Sequence, residues 1–154
     1  MWKRRSRSSG ARPTRRKSSL VLDTGVLVSA FAFGGTPKAA VVKTFSEFEI
    51  CVSPELLQEY RDVPSILLAG RKLNFDQFCA LIAGIAAVVS VARMVYPGER
   101  ISVCRDPKDD MVLECCLAAG AECLVTGDRD LLSIKNLAFD LKILTPAGFL
   151  KQSL

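Results

Sequence analysis

Two aspartates that follow short apolar runs are the first candidates for chemistry in this sequence. Asp23 comes directly after the run 20–22, and Asp128 follows the run 123–126 with one glycine between them. In a parallel α/β sheet, ligands bind beyond the carboxyl ends of the strands. If the two runs are neighbouring strands, both carboxylates face one pocket, although either aspartate alone is equally well explained as a helix cap.

Further acids lie close to this pair in sequence or recur at helical spacing. Glu55 and Glu59 are four residues apart, as are Asp110 and Glu114, and like charges at this spacing repel each other on a helix. A solvated helix flank, or an interaction with the helix dipole, is the alternative explanation for these acids. The set is completed by Asp106, Asp109 and Asp130.

Carboxylates gathered in one pocket predict a divalent cation. They repel one another and take up protons near neutral pH unless a positive charge compensates them. Mg²⁺ or Mn²⁺ prefers oxygen ligands, keeps several waters and commonly completes its coordination with phosphate oxygens. Such a site can activate water and stabilise a leaving oxygen, so hydrolysis of a phosphodiester is possible without a histidine base.

The composition removes several other classes of mechanism. With no histidine, the chain can form neither a Ser-His-Asp triad nor a Cys-His dyad. Its glycines match neither a P-loop nor a dinucleotide-binding fingerprint. The six cysteines lack zinc-ribbon spacing and no secretory signal precedes them, so we expect buried thiols and a cytoplasmic protein. No apolar run is long enough to cross a bilayer.

The apolar pattern and the capping signals predict alternating strands and helices. We expect strands at 20–22, 49–52, 122–126 and 139–144. We expect helices at 26–33, from the Thr36-Pro37 cap to 48, at 54–68, at 75–93, at 111–119, at 131–134 and after Thr145-Pro146. This alternation is typical of a three-layer α/β/α sandwich with a central, mainly parallel sheet.

Charge divides the chain into two parts. Residues 1–17 contain eight basic residues and no acid, which leaves 13 basic against 16 acidic residues in the remainder. An arginine- and serine-rich segment cannot bury an apolar face. We therefore expect a disordered basic arm over residues 1–18 and one folded domain over residues 19–154.

Four segments, in this order, resemble the PIN domain family, and more narrowly its bacterial toxin components of toxin–antitoxin systems. They are LVLDTGVLVSA at 20–30, SPELLQEY at 53–60, RDPKDD at 105–110 and LVTGDRDLL at 124–132, with a closing segment at 145–150. The resemblance covers about residues 19 to 150, and four ordered motifs are far more specific than any single acid.

The resemblance implies a Mg²⁺- or Mn²⁺-dependent endoribonuclease that acts on single-stranded RNA. Such proteins are often dimeric, or form higher oligomers, and are often inhibited by an antitoxin protein. By position in the motifs, the catalytic residues would be Asp23, Glu59, Asp110 and Asp128, the metal ligands would be Asp23, Asp110, Asp128 and Asp130, and the substrate-positioning residues would be Thr24 and Thr126.

Two positions leave alternatives open. The ligand from the third motif could be Asp109 or Asp110, and we favour Asp110 because the family has an aliphatic residue three positions later, here Leu113. Gly25 stands where the family usually has asparagine, so an amide that could orient Asp23 or substrate is missing. A catalytically impaired PIN-fold module that binds RNA or protein is therefore one alternative, and a haloacid-dehalogenase-like phosphatase is another.

The basic arm has several explanations. Arg4, Arg5, Arg15 and Arg16 are candidates for contacts with the RNA backbone, since a cationic segment can follow a polyanion. The same segment could contact an antitoxin, result from a misassigned start codon or vector sequence, or be an organellar transit peptide.

Overall fold

A computed structural model of the chain describes residues 17–152. Five parallel strands form one sheet in the order β3-β2-β1-β4-β5. The strands are β1 (Ser19–Leu22), β2 (Glu49–Val52), β3 (Arg93–Met94), β4 (Cys123–Val125) and β5 (Lys142–Leu144). The predicted arm, with Arg4, Arg5, Arg15 and Arg16, lies outside the described residues.

Helices cover both faces of this sheet, so the three-layer α/β/α sandwich predicted from the sequence is confirmed. They are α1 (Thr24–Val28), α2 (Gly35–Glu47), α3 (Pro54–Ala69), α4 (Phe75–Val91), α5 (Pro107–Ala119), α6 (Arg129–Leu132) and α7 (Pro146–Lys151), and a π-helical turn (Ser29–Phe33) follows α1. Helix α5 packs on β1 and β2, whereas α2 packs on β2 and α7.

The polar capping signals mark most of the helix starts correctly. The Ser53 side chain accepts a hydrogen bond from the amide of Leu56 at the start of α3. Asn74 and Gln77 form the predicted capping box of α4, and the hydroxyl of Thr145 accepts from the amide of Gly148 at α7. Each cap satisfies a backbone donor that has no partner within its helix.

The Thr36-Pro37 cap predicted from the sequence was wrong. Helix α2 begins at Gly35, with Gly34 as its N-cap residue, and these glycines have φ values of 69° and 83°. Positive φ is readily reached by glycine, so the chain turns sharply here and starts the helix before the polar cap signal. Among residues 17–152 no single helix is long and apolar enough to cross a membrane. The helical stretches on the two sides of this turn reach the required length and apolar composition only when taken together, and they are bent by 112° relative to each other.

Several boundaries also differ from the predictions. Strand β3 was expected to be the end of α4, but the helix stops at Val91, and β3 pairs with β2. Strand β5 is shorter than predicted, and α5 and α6 each begin earlier because Asp106 and Asp128 act as their N-caps. A two-residue strand contains too little alternation to be recognised in sequence.

Candidate metal centre

A cleft of about 640 Å³ opens at the carboxyl edge of the sheet. It lies beyond the ends of β1 and β4, the place where parallel sheets bind ligands. Five acids line it, from four different segments of the chain: Asp23, Glu59, Asp106, Asp109 and Asp128. The predicted convergence of distant acids is therefore present in the structure.

Asp23 and Asp128 are brought together by the pairing of β1 with β4. Leu22 lies opposite Val125 in the parallel register, and the amide of Asp23 donates to the carbonyl of Val125 at 3.0 Å. The fully buried Thr126 hydroxyl donates to Asp23 Oδ2 at 2.6 Å and accepts from the amide of Asp128 at 3.0 Å. Thr126 thus fixes both acids and does not itself line the cleft.

The carboxylate of Asp23 lies in a mostly desolvated position. Burial raises its pKa, the hydrogen bond from Thr126 opposes that rise, and the negative charge of Glu59 adds to it. The net pKa is above the ordinary value. A cation bound nearby would offset the repulsion between the charges of Asp23 and Glu59.

Glu59 reaches the cleft from helix α3. The hydroxyl of the buried Tyr60 donates to the carbonyl of Leu22, which fixes α3 against the end of β1. Glu55, one turn earlier, is exposed and is not part of the cleft. Of this like-charged pair, Glu59 lines the cleft and Glu55 faces solvent.

Asp109, Asp128 and Asp130 form a cluster of acids close enough together to hold a metal ion. Each offers a carboxylate oxygen, and these oxygens lie within 4.8 Å of one another. Burial, followed by the charge of Asp128, raises the pKa of Asp109 to about 6. Three carboxylate oxygens this close together repel one another, and such a set fits a hard divalent cation.

Asp110 is not brought to this cluster. Its side chain is buried, and Oδ1 accepts hydrogen bonds from the amides of Val103 and Cys104 at 3.0 and 2.9 Å. Burial alone would raise its pKa, but these amides outweigh that effect and lower it. Asp109 lines the cleft and Asp110 does not, because the loop amides hold the Asp110 carboxylate on another side of α5.

Thr24 and Gly25 occupy different positions relative to the cleft. The Thr24 hydroxyl is buried, lacks a hydrogen-bond partner among the described residues and does not line the cleft, whereas its amide donates to Asp23 Oδ1. Gly25 is exposed and lines the cleft. Apart from the adjacent residues and the backbone of its own helix, nothing lies within 4 Å of a Cβ built at Gly25, so the site has room for a side chain there.

Two basic residues of the site were not among the sequence candidates. Lys108 lines the cleft, and Arg105 Nη2 contacts both carboxylate oxygens of Asp130 at 3.0 and 3.2 Å. Both belong to the RDPKDD motif. The motif could have indicated them, because basic residues beside a carboxylate cluster provide contacts for a phosphate substrate.

The sequence profile of the PIN domain matches residues 19–130. The chain belongs to the PIN domain family. PIN domains are generally nucleases that use divalent metals, and the five acids that line the cleft of this chain all lie within the matched residues. Membership in this family leaves the phosphatase alternative without support.

The fold is also similar to a solved structure. This is the crystal structure of VapBC2 from Rickettsia felis bound to a DNA fragment from their promoter; a chain in it shares 15% identity with this PIN domain at a TM-score of 0.54. The alignment covers 81% of this chain and 98% of that chain. At such identity the likeness concerns the fold alone, and no curated protein matches this chain.

Proposed function

We propose that this PIN domain is a Mg²⁺- or Mn²⁺-dependent endoribonuclease that cleaves single-stranded RNA. The observation that carries the proposal is the hydrogen-bonded link from Asp23 through Thr126 to the backbone of Asp128, within a cleft that Asp109 also lines. A protein gains no stability by holding repelling carboxylates together, so their arrangement points to a cationic ligand.

The cation would be held by Asp109, Asp128 and Asp130, with Asp23 facing the same cleft. We assign the ligand of the third motif to Asp109, because both amide contacts of Asp110 hold its carboxylate elsewhere. When bound, a divalent cation supplies an activated water and a counter-charge for the leaving oxygen.

The protein's own groups orient the reactants. Thr126 keeps the Asp23 carboxylate in one position. Glu59 adds a further carboxylate to the cleft, which would accept a proton from a bound water. Lys108 offers the cleft a positive charge for a phosphate oxygen. Thr24, whose hydroxyl is buried, would support the site through its amide contact with Asp23 rather than by touching RNA.

RNA is the substrate class that the family resemblance favours. A cleft with a metal and a lysine accepts a phosphodiester, and the arginines of the predicted arm would add contacts along a flexible single strand. We further propose that the protein acts as the toxin of a toxin–antitoxin pair, in the cytoplasm, as a homodimer or higher oligomer. The partnership named in the Rickettsia felis structure supports a protein partner for a chain of this fold.

The proposal is tested with a labelled single-stranded RNA oligonucleotide and purified protein. We expect cleavage with Mg²⁺ or Mn²⁺, none with EDTA, and recovery when metal is restored. Asp23→Asn should abolish cleavage, whereas Asp140→Asn, which alters an exposed aspartate outside the cleft, should not. Equal activity of wild type and Asp23→Asn would reveal a contaminating nuclease.

Two other results would replace the proposal. RNA binding without cleavage, under conditions in which the metal binds, would show a PIN-fold binding module. The reason to consider that outcome is Gly25, which stands where the family usually has asparagine. Magnesium-dependent release of phosphate from p-nitrophenyl phosphate, with RNA left intact, would show a phosphatase.

A further inference from the structure

Arg105 lies on a loop that two buried acids of helix α5 hold in place. Residues 95–106 contain neither helix nor strand and connect β3 to α5. Asp110 accepts hydrogen bonds from two amides of this loop, and Glu114 accepts one from Ile101 at 2.8 Å. The backbone beside Arg105 is therefore fixed, although its side chain is 86% exposed.

The guanidinium of Arg105 is paired with a carboxylate that the metal would also use. Its Nη2 lies 3.0 Å from Asp130 Oδ1, and Asp130 belongs to the cluster with Asp109 and Asp128. An ion pair between two exposed groups changes an equilibrium constant by no more than about fivefold. A divalent cation in contact with a third carboxylate gains considerably more, because its charge is doubled and the site is partly desolvated.

We propose that Arg105 exchanges partners: it neutralises Asp130 while the metal site is empty, and binds a phosphate group of the RNA once Asp130 turns to the metal. This inference rests on the proposed function and adds a substrate-contacting residue to it. No covalent bond changes in the exchange, since the carboxylate trades a guanidinium for a cation and the guanidinium trades a carboxylate for a phosphate.

The charges around the cleft explain why such a residue is needed. Among the described residues that line the cleft, Lys108 is the one basic side chain against five acids. A polyanion that approaches this wall is repelled until cations balance it. The planar guanidinium can donate two parallel hydrogen bonds to a phosphate, which an ammonium group cannot match.

The test uses Arg105→Gln and Arg105→Lys, with Arg100→Gln as the matched control. Arg100 lies on the same loop and is 92% exposed, but its acidic neighbour, Glu114 at 3.9 Å, is not part of the cluster of Asp109, Asp128 and Asp130. Calorimetric titration with Mn²⁺ alone measures metal affinity in RNA-free protein. The dependence of cleavage rate on RNA concentration gives KM and kcat.

We expect Arg105→Gln to bind Mn²⁺ about twofold to fivefold more tightly, because a competing positive charge is removed. Its KM for RNA should rise about tenfold or more, with kcat changed much less, because a charge-assisted phosphate contact is lost. Arg105→Lys should lie between Arg105→Gln and wild type in KM, and Arg100→Gln should match wild type in both measurements. In an Asp130→Asn background, Arg105→Gln should no longer alter Mn²⁺ affinity.

An unchanged KM in Arg105→Gln would overturn the proposal and leave Arg105 as a neutralising partner of Asp130. Mn²⁺ affinity that does not rise in this variant would overturn the exchange as well. These failures concern Arg105 alone, since wild-type protein would still bind Mn²⁺ and cleave RNA. Wild-type protein that binds no Mn²⁺ would instead overturn the proposed function, and the exchange with it.

Discussion

Asp109 and Asp110 are adjacent in sequence, yet asparagine should change the stability of the protein in opposite directions at the two positions. Asp109 lies in the cleft near Asp128, and its pKa is raised to about 6 by burial and then by that neighbouring charge. Asp110 has a lowered pKa because two backbone amides donate to it. The metal-free fold therefore disfavours one negative charge and favours the other.

For Asp109 the magnitude follows from the pKa. A rise from 3.8 to about 6 corresponds to about 3 kcal/mol between the charged and neutral forms. Because the side chain is partly exposed to water, we expect about 1–2 kcal/mol after screening. Below pH 3.8 the carboxyl is protonated in both folded and unfolded protein, so stability is unaffected; above about pH 6 it is ionised in both, and the fold loses the full amount. Asp109→Asn should therefore stabilise metal-free protein at pH 7.5.

For Asp110 the sign is reversed. Its lowered pKa means that the charge stabilises the fold above the ordinary value of 3.8, and that this contribution is lost as the pH falls through the folded-state pKa. An asparagine oxygen still accepts from the amides of Val103 and Cys104, but without the charge. Asp110→Asn should therefore lower the free energy of unfolding at pH 7.5 by about 1–2 kcal/mol.

Urea denaturation at pH 7.5, in EDTA and then in Mn²⁺, measures both effects. Ligand that binds only the native state raises its stability, so wild type and Asp110→Asn should gain stability in Mn²⁺. Asp109→Asn should gain little or none, because it lacks one carboxylate of the cluster. Loss of the Mn²⁺ effect in Asp110→Asn, with its retention in Asp109→Asn, would refute the assignment and restore Asp110 as the ligand.

Three further substitutions test other parts of the site and core. Thr126→Val removes the hydrogen bond that lowers the pKa of Asp23. The rate of RNA cleavage should therefore fall at least about tenfold, and the acid side of its pH profile should move to higher pH. Gly25→Asn should fold as stably as wild type, since no group beyond its own helix and chain neighbours lies within 4 Å of a Cβ there, and cleavage assays should show equal or higher activity. Gly84→Ala should lower the melting temperature by several degrees, because its Cβ would lie 2.1 Å from the ring of Phe31, and calorimetry would show this.

The sequence predicted the parts of the fold that local chemistry determines. Apolar runs ending in acids gave β1 and β4, and the caps at Ser53 and Asn74 gave the starts of two long helices. Strand β3 was missed because its two residues owe their conformation to pairing with β2. Family spacing favoured Asp110 over Asp109, whereas Asp109 lines the cleft, because the choice depends on which side of α5 faces it.

The like-charged pair formed by Asp110 and Glu114 shows how the fold divides the acids between two purposes. Their spacing predicts repulsion, yet each carboxylate is buried and accepts hydrogen bonds from amides of the same loop. Backbone amides thus replace water and stabilise these two charges without a metal. Asp109 faces the cleft with a raised pKa, whose causes are burial and neighbouring carboxylates and include no backbone amide, and it is the acid for which we propose a cation. For the adjacent Asp109 and Asp110, the backbone amides that donate to Asp110 therefore indicate which acid is held by the loop and which is left to the cleft.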